Sequence, residues 1–204
     1  MFMNKVLLSL LMLFLSFSAT ASLFDQDISR YQVYTANGYS QASLNVFLKR
    51  IESLKTGFLS SIKPIVANNN LVIEFKGFAP QPEALRYFAE QPGRLVARIH
   101  NVSKAIIDTN DIDNSQANLV NGRAHIDIQL SQPAGERFKQ VTSANLGKRL
   151  IITLDNKVIL SSVLTQPIGR FFRLGAENMQ QAEYQAVLLR HGILMESLQL
   201  TELD

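Results

Sequence analysis

The chain has no cysteine among its 204 residues. Disulfide bonds, thiol nucleophiles, thiolate metal ligands and iron–sulfur clusters are therefore excluded, as is lipid attachment through a cysteine. The chain also has no apolar run that approaches the roughly 20 residues of a membrane-spanning helix. The sequence thus predicts a protein without thiol chemistry and without a membrane span.

The first 21 residues have the three-part pattern of a secretory signal peptide. Lys5 gives the amino-terminal region a positive charge, residues 6–17 form an apolar core, and residues 19–21 (Ala-Thr-Ala) have the small-x-small form of a cleavage site. We expect the mature chain to begin at Ser22 and to be exported as a soluble protein.

Charged residues of the two signs are nearly balanced and are mixed along the chain. There are 20 Lys and Arg against 17 Asp and Glu, which gives a net charge of +3. A nucleic-acid-binding domain would show a basic stripe with interleaved aromatic residues. The nearest candidate, residues 170–173 (Arg-Phe-Phe-Arg), is too short for that role. We therefore expect no nucleic-acid partner.

The first half of the predicted mature chain alternates helix and strand signals. An amphipathic helix begins after Ser40, a residue suited to an N-cap, and ends near Gly57. A strand follows at residues 71–75, a second helix begins at Pro82, and a second strand covers residues 94–99. This order of elements predicts an α+β fold.

Two segments have no clear periodicity. Residues 22–37 are expected to form an extended arm or an edge strand. The polar residues 101–122 are expected to form a linker or an excursion into a second unit.

Beyond residue 122 the helix and strand signals are clear again. Apolar and polar residues alternate over residues 123–130, which predicts a half-buried strand. Two short apolar runs flank Asp155 and Asn156, which predicts a hairpin with a two-residue turn. The remaining predicted elements are a helix over 133–147, a strand over 168–174, a helix over 177–191 and a strand over 195–200.

A set of residues in the second half has an order and spacing typical of one protein family. The set comprises residues 134–138 (Ala-Gly-Glu-Arg-Phe), Thr142, 145–147 (Asn-Leu-Gly), 149–150 (Arg-Leu), 154–159, 167–168 (Pro-Ile), Ala182 and 192–194 (Gly-Ile-Leu). This pattern resembles the first periplasmic domain of SecD, an accessory subunit of the bacterial protein-export translocon. Upstream, residues 72–78 and 93–98 resemble two of the family's strands.

The resemblance implies an α+β fold with a ferredoxin-like base and an inserted α+β head subdomain. After the predicted signal peptide over 1–21, it implies an arm and the first part of the base over 22–102, the head over 103–174, and the last part of the base over 175–204. In the family the head is thought to hold a translocating polypeptide. The membrane helices through which SecD couples to proton flow are absent from the sequence, so we expect that this chain is not the motor.

No residue pattern predicts a catalytic, cofactor or metal site. His100, His125 and His191 are the only histidines, and none lies in a ligand pair four residues apart. Residues 108–113 resemble a calcium loop superficially, but the sixth position is Asp113 where that loop needs glycine. We expect an acidic, solvated connector there, no cofactor and no enzymatic activity.

The resemblance implies a non-catalytic periplasmic module that binds unfolded or extended polypeptide or docks on translocon or envelope proteins. A peptide would add to the edge of a head strand, with contacts on the strands over 123–130 and 168–174. The candidate polypeptide-binding residues are Phe171, Phe172 and Arg173. In a strand, alternation places Phe171 and Arg173 on one face and Phe172 on the other. The alternative that both phenylalanines belong to the core stays open.

Two other functions stay open. In the first, the chain is a structural partner subunit of an envelope assembly without a role in translocation. In the second, the chain is a hydrolase. A hydrolase would need a converging pair of acids or a Ser–His contact in a pocket.

Overall fold

The computed structural model describes residues 28–34, 40–53, 59–67, 70–77 and 81–203. The predicted signal peptide, its cleavage site and the predicted end of the first helix lie outside the described residues. In the described part of the chain, four α-helices and eleven β-strands form three antiparallel sheets and two apolar cores. The α+β class predicted from the sequence is confirmed.

One four-stranded sheet has the strand order of a ferredoxin-like fold. It contains β1 (Ile28–Tyr34), β2 (Leu59–Ala67), β3 (Asn70–Gly77) and β11 (Gln199–Leu203). The strands pair antiparallel in the order β11-β1-β3-β2. The prediction of an extended arm or edge strand near the N-terminus was wrong for β1, which lies between two strands. One of these neighbours, β11, comes from the far end of the chain, so no local pattern indicates the pairing.

Two helices share an apolar core with this sheet. α1 (Gln41–Glu52) begins as predicted after Ser40, whose hydroxyl accepts a hydrogen bond from the backbone N–H of Ser43. α2 (Pro82–Glu90) has its proline in the first turn, as predicted. The side chains that the two helices bury in this core are Leu44, Phe47, Ile51, Ala84, Leu85, Phe88 and Ala89.

A second four-stranded sheet follows α2. It contains β4 (Leu95–Ile99), β5 (Ile107–Asp108), β8 (Arg149–Leu154) and β9 (Lys157–Val163) in the order β5-β4-β8-β9. β9 pairs only with β8 in the described part of the chain, so it forms one edge of the sheet.

The turn between β8 and β9 ties this sheet to the segment that precedes β4. Asp155 and Asn156 have φ angles of 48° and 66°, as a type I′ turn requires, which confirms the predicted hairpin. The Asp155 carboxylate accepts hydrogen bonds from the backbone N–H groups of Gly93 (3.1 Å) and Arg94 (2.7 Å).

The third sheet contains β6 (Ile112–Val120), β7 (Arg123–Leu130) and β10 (Phe171–Gly175) in the order β10-β7-β6. The half-buried strand predicted for β7 is confirmed. Of the two alternatives for residues 101–122, the linker was wrong, because half of this segment forms β5 and β6. The excursion into a second unit stays a prediction. The inward-facing side chains of β6 are small or polar and give little periodic signal.

Two further helices complete the described chain. α3 (Gln132–Ser143) begins at the N-cap Ser131, and α4 (Met179–His191) begins at the N-cap Asn178. α4 contributes to both apolar cores, because its buried residues lie on more than one face. Ala182, Ala186 and Leu189 pack in the core of the second and third sheets, whereas Val187 and Leu188 pack in the core of the ferredoxin-like sheet.

The fully buried Arg50 of α1 joins the C-terminal ends of α2 and α4. Its Nη1 donates to the carbonyl oxygens of Phe88 (3.0 Å) and Gln91 (2.7 Å), and its Nη2 donates to those of Pro92 (2.8 Å) and Gly192 (2.7 Å). The carbonyl end of a helix carries partial negative charge, so a buried cation is favoured there. Burial nevertheless lowers the pKa of Arg50 to about 10.

The division into a base and a head stays a prediction. Two contacts connect the parts that it separates. β4, which the division places in the base, pairs with β8, which it places in the head. α4, which it places in the base, packs in both cores.

Candidate functional site

The predicted site residues lie on β10, at the edge of the third sheet. β10 pairs with β7 on one side, and no other strand of the described chain pairs with it on the other. β9 approaches β10 without forming a ladder with it.

The hydrogen-bond pattern shows which backbone groups of β10 are free. Leu130 N–H donates to the Arg170 carbonyl oxygen (2.9 Å), and Ala176 N–H donates to that of Ala124 (3.0 Å). In an antiparallel pair, the hydrogen-bonded residues alternate. The even-numbered residues of β10 therefore face β7, and the N–H and C=O groups of the odd-numbered ones, 171, 173 and 175, point away from it.

The two predicted phenylalanines lie on opposite faces of the sheet. The Phe171 side chain is 67% exposed on the outer face, and the guanidinium of Arg170 lies 5.4 Å from its ring centroid. Phe172 is half-buried and its ring centroid lies 5.5 Å from that of Phe138 in the core. The alternative that both phenylalanines are core residues therefore holds for Phe172 and fails for Phe171.

Arg173 shares the outer face with Phe171 and pairs with Asp127 of β7. Its Nε donates to the Asp127 carboxylate at 2.5 Å, and Asn118 Nδ2 donates to the same carboxylate at 3.1 Å. The hydrogen bond from Arg173 lowers the pKa of Asp127, and the same bond raises the pKa of Arg173. Both groups are therefore charged at neutral pH, and their charges compensate each other.

A concavity of about 430 Å³ lies over this face of the sheet. Apart from the compensated ion pair, the polar groups that line it are uncharged side-chain amides. The principal lining residues are Asn114, Gln116, Asp127, Gln129, Phe171 and Arg173. Such a surface offers hydrogen-bond donors and acceptors without a net charge.

The amides of β6 are site residues that the sequence did not reveal. Asn114 and Gln116 face outward because they lie opposite Gln129 and Asp127 of β7. The signal was a weak alternation of larger polar side chains with small ones, in a segment interpreted as a linker.

Residues 85–195, more than half of the chain, match the sequence model of the family described as SecDF, P1 head subdomain. The chain belongs to this family. The resemblance to SecD that the sequence suggested is confirmed.

Two SecD proteins illustrate the similarity. The protein translocase subunit SecD of Acidaminococcus fermentans is 22% identical over 163 residues, which are 78% of this chain and 38% of that protein. The protein translocase subunit SecD of Rickettsia bellii is 30% identical over 138 residues, which are 66% of this chain and 26% of that protein. The SecD-family chain thus spans less than half the length of these curated relatives.

A solved structure of SecDF has the same fold. SecDF is described there as a membrane component that enhances protein export. The two structures align with a TM-score of 0.66 and 20% sequence identity, over 87% of this chain and 99% of the SecDF chain. The SecD-family domain therefore shares its α+β architecture with this solved SecDF chain. In the part of this chain that the structure describes, no α-helix combines the length and apolar character needed to cross a bilayer.

The aspartates that resemble a calcium loop have separate partners in the SecD-family domain. The Asp108 carboxylate caps a short 3-10 turn. Asp111 pairs with Arg137 at 2.8 Å, and Asp113 pairs with Arg170 at 3.2 Å. Among the described residues, no three His, Asp or Glu side chains are placed to hold a metal ion.

The SecD-family domain does contain a Ser–His contact, the feature that the hydrolase hypothesis requires. Ser53 Oγ and His191 Nε2 lie 2.5 Å apart at the C-terminal ends of α1 and α4. Helix C-termini present carbonyl oxygens and partial negative charge, which would repel the oxyanion formed in acyl transfer. The exposed Ser53 hydroxyl also lies within hydrogen-bond distance of the Lys49 carbonyl oxygen (3.2 Å). This geometry suits a hydrogen bond that joins the two helices better than it suits a catalytic pair.

Proposed function

We propose that this SecD-family domain acts in the periplasm as a non-catalytic module that holds an extended polypeptide during protein export. The observation that carries the proposal is the free edge of β10, where alternate backbone groups point outward beside the exposed Phe171. The relatives support it, since they are protein translocase subunits and the solved SecDF is described as enhancing protein export.

The polypeptide binds by adding a strand to β10. In this mode, main-chain hydrogen bonds supply affinity with little dependence on sequence. The neighbouring face suits such binding, because Arg173 and Asp127 neutralise each other and the remaining polar groups are amides. A passing segment of either charge therefore meets no strong repulsion.

The three predicted site residues have different parts in this proposal. Phe171 contacts the bound segment, because its ring is exposed on the outer face. Arg173 contributes its outward backbone groups and holds Asp127 in place. Phe172 anchors β10 to the core through Phe138 and keeps the edge in position.

We also propose the division of the chain into an N-terminal signal, a base and an inserted head. The head carries the β10 edge and the base carries Arg50 and its carbonyl partners. No cofactor or metal takes part, and energy for translocation comes from elsewhere in the export machinery.

Backbone methylation of a model peptide tests the binding mode. A fluorescent, uncharged seven-residue peptide rich in Thr and Val is titrated with the mature protein, and binding is measured by fluorescence anisotropy. One variant carries N-methyl groups on alternate residues and the other carries them on every residue. Strand addition predicts that the alternately methylated peptide retains binding, because only alternate N–H groups face the edge, and that the fully methylated peptide loses it. Equal binding by both variants contradicts the proposal.

Photo-crosslinking in intact cells tests the cellular role. A photoreactive residue at Phe171 is compared with one at Leu119, which is also exposed (59%) but lies on β6. Many heterogeneous adducts from position 171 alone support polypeptide holding. A single stoichiometric adduct would indicate the alternative, a structural partner subunit, and no adduct at position 171 would remove the proposal.

A further inference from the structure

We infer that a concavity between α2 and α4 binds a neutral pyranose sugar. Its volume is about 470 Å³, within the roughly 300–1,000 Å³ typical of small-molecule sites. We call it the α2–α4 concavity, and its described lining includes Glu83, Tyr87, Asn178, Gln180, Gln181 and Tyr184. None of these residues lies on β10, so the inference is independent of the proposed polypeptide binding.

Two tyrosine rings form the apolar part of the α2–α4 concavity. The ring centroids of Tyr87 and Tyr184 lie 5.2 Å apart, with an angle of 39° between the ring planes. The Tyr184 ring also lies 5.2 Å from that of the fully buried Phe88, so the core holds it in position. Both tyrosines are half-buried, so part of each side chain stays accessible to a ligand. The face of an aromatic ring carries partial negative charge and attracts polarised C–H groups.

Three amides beside the rings are each oriented by one hydrogen bond. Asn178 Oδ1 accepts from the backbone N–H of Gln181 (2.8 Å), and Gln181 Oε1 accepts from that of Glu177 (2.7 Å). Gln180 Nε2 donates to the Tyr184 hydroxyl oxygen (3.2 Å). Among the described residues, no partner is seen for the NH₂ groups of Asn178 and Gln181, the carbonyl oxygen of Gln180 or the hydroxyl proton of Tyr184.

This combination of groups suits a sugar. Donors and acceptors lie side by side in the lining, and a hydroxyl group can serve as both donor and acceptor. A pyranose ring carries several hydroxyl groups and also has an apolar face of C–H groups, so it complements the amides and the aromatic rings together. An apolar ligand would instead cover the amides and leave them without partners, which costs free energy.

Anions and extended polypeptides suit the α2–α4 concavity less well. None of its described lining residues is Lys, Arg or His, and Glu83 gives it a negative charge. Glu83 also occupies the first turn of α2, where an anion would otherwise be favoured. The walls are two helices, whose backbone groups beyond the first turn bond within the helix and offer no edge to an added strand.

Saturation-transfer NMR with two uncharged sugars tests the inference. The aromatic protons of the mature protein are saturated, and transfer is measured to methyl β-glucoside and to cellobiose at millimolar concentration. We expect transfer to the ring C–H protons of both sugars, strongest on one face of a ring. Methyl β-glucuronide is the charged control and should bind more weakly, because its carboxylate meets the charge of Glu83. Absence of transfer to both uncharged sugars, or equal binding of the glucuronide, overturns the inference.

Three variants assign sugar binding to the α2–α4 concavity. Tyr184→Leu removes one ring, whereas Asn178→Ser keeps an N-cap oxygen for the Gln181 N–H and removes only the amide donor. Each should weaken cellobiose binding about two- to tenfold, the value of one aromatic contact or one net hydrogen bond. Tyr34→Phe, at an exposed tyrosine on β1, is the control and should bind as the wild-type protein does. Unchanged binding in Asn178→Ser and Tyr184→Leu overturns the assignment.

Discussion

The guanidinium of Arg50 lies in the space that a side chain on Gly93 would need. A Cβ built on Gly93 would be 2.8 Å from Arg50 Nη2 and 3.3 Å from the Leu188 carbonyl oxygen. Gly93 also has a φ of +78°, where other residues are strained. The absence of a side chain at Gly93 is thus what allows Arg50 to reach the carbonyls of Pro92 and Gly192.

Replacing Gly93 should destabilise the protein more than replacing a glycine with similar backbone geometry. Gly122 is the matched control, because its φ is +73° and a Cβ there would meet nothing within 4 Å. Gly122→Ala should cost about 1–2 kcal/mol for the left-handed backbone alone. Gly93→Ala should cost more, because it also displaces Arg50. Urea denaturation measures both, and equal losses would contradict the role of the contact.

Removing the Arg50 guanidinium should cost about 3 kcal/mol or more, because the substitution removes four hydrogen bonds and takes the Arg50 donor from the buried Phe88 carbonyl oxygen. The Pro92 carbonyl oxygen keeps a second donor, Leu194 N–H (2.9 Å). The variant is Arg50→Met, which keeps an unbranched apolar stem. Lys49→Met is the control, since Lys49 is an exposed neighbour on the same helix. The free energies of unfolding are compared at neutral pH. A loss no larger than that of Lys49→Met would show that other groups satisfy these carbonyls.

Replacing Gly135 of α3 should weaken peptide binding at β10 and should also lower stability. A Cβ on Gly135 would lie 2.7 Å from Arg170 Cβ and 2.8 Å from its Cα. Alanine gains about 1 kcal/mol of helix propensity, but overpacking of this kind costs about 1–3 kcal/mol. Gly135→Ala should therefore be destabilising and should weaken peptide binding at β10. Gly169→Ala, where a Cβ meets nothing within 4 Å, should leave both unchanged or slightly improved.

The free energy of unfolding should fall in mild acid because His191 is held neutral in the folded protein. Burial lowers its pKa, and the cations Arg190, Arg50 and Lys49 lower it further, while Glu52 acts in the opposite direction. The unfolded chain then binds the proton more readily than the folded one. The stability that comes from neutral His191 is fully present above its ordinary pKa near 6.5 and is lost as pH falls through the lower folded value.

Comparison with His191→Gln measures this contribution. The free energy of unfolding is determined from pH 8 to pH 5, and the wild-type protein should lose more of it than the variant in this range. His100→Gln, at an exposed histidine, serves as the control. Parallel curves for the wild-type protein and His191→Gln would contradict the assignment.

Local signals in the sequence were sufficient for the elements whose partners are close in the chain. The start of α1 followed from Ser40, whose side chain does accept the expected backbone hydrogen bond. The hairpin followed from Asp155 and Asn156, which do adopt positive φ angles.

Elements that depend on distant partners could not be predicted in the same way. β6 buries Ser115, whose hydroxyl donates to the Ala186 carbonyl oxygen (2.6 Å) on α4. A buried serine breaks the apolar alternation by which a strand is recognised. β2 contains Pro64, which argues against a strand interior but is tolerated because β2 is a sheet edge.

The candidate site was predictable only in part, because it also depends on partners that are distant in the chain. Alternation separated Phe171 and Arg173 from Phe172, but it could not tell which face meets the core. That choice depends on Phe138 of α3, which packs against Phe172. The amides of Asn114 and Gln116 required the pairing of β6 with β7, which only the fold reveals.

Because α4 packs in both apolar cores, the predicted boundary after residue 174 does not separate two independent folding units. A fragment that ends there would lack Ala182, Ala186 and Leu189 and would expose the surface they cover. A fragment that extends through His191 keeps them but turns Val187 and Leu188 toward water. Heat or denaturant should consequently melt the two cores together in one cooperative transition.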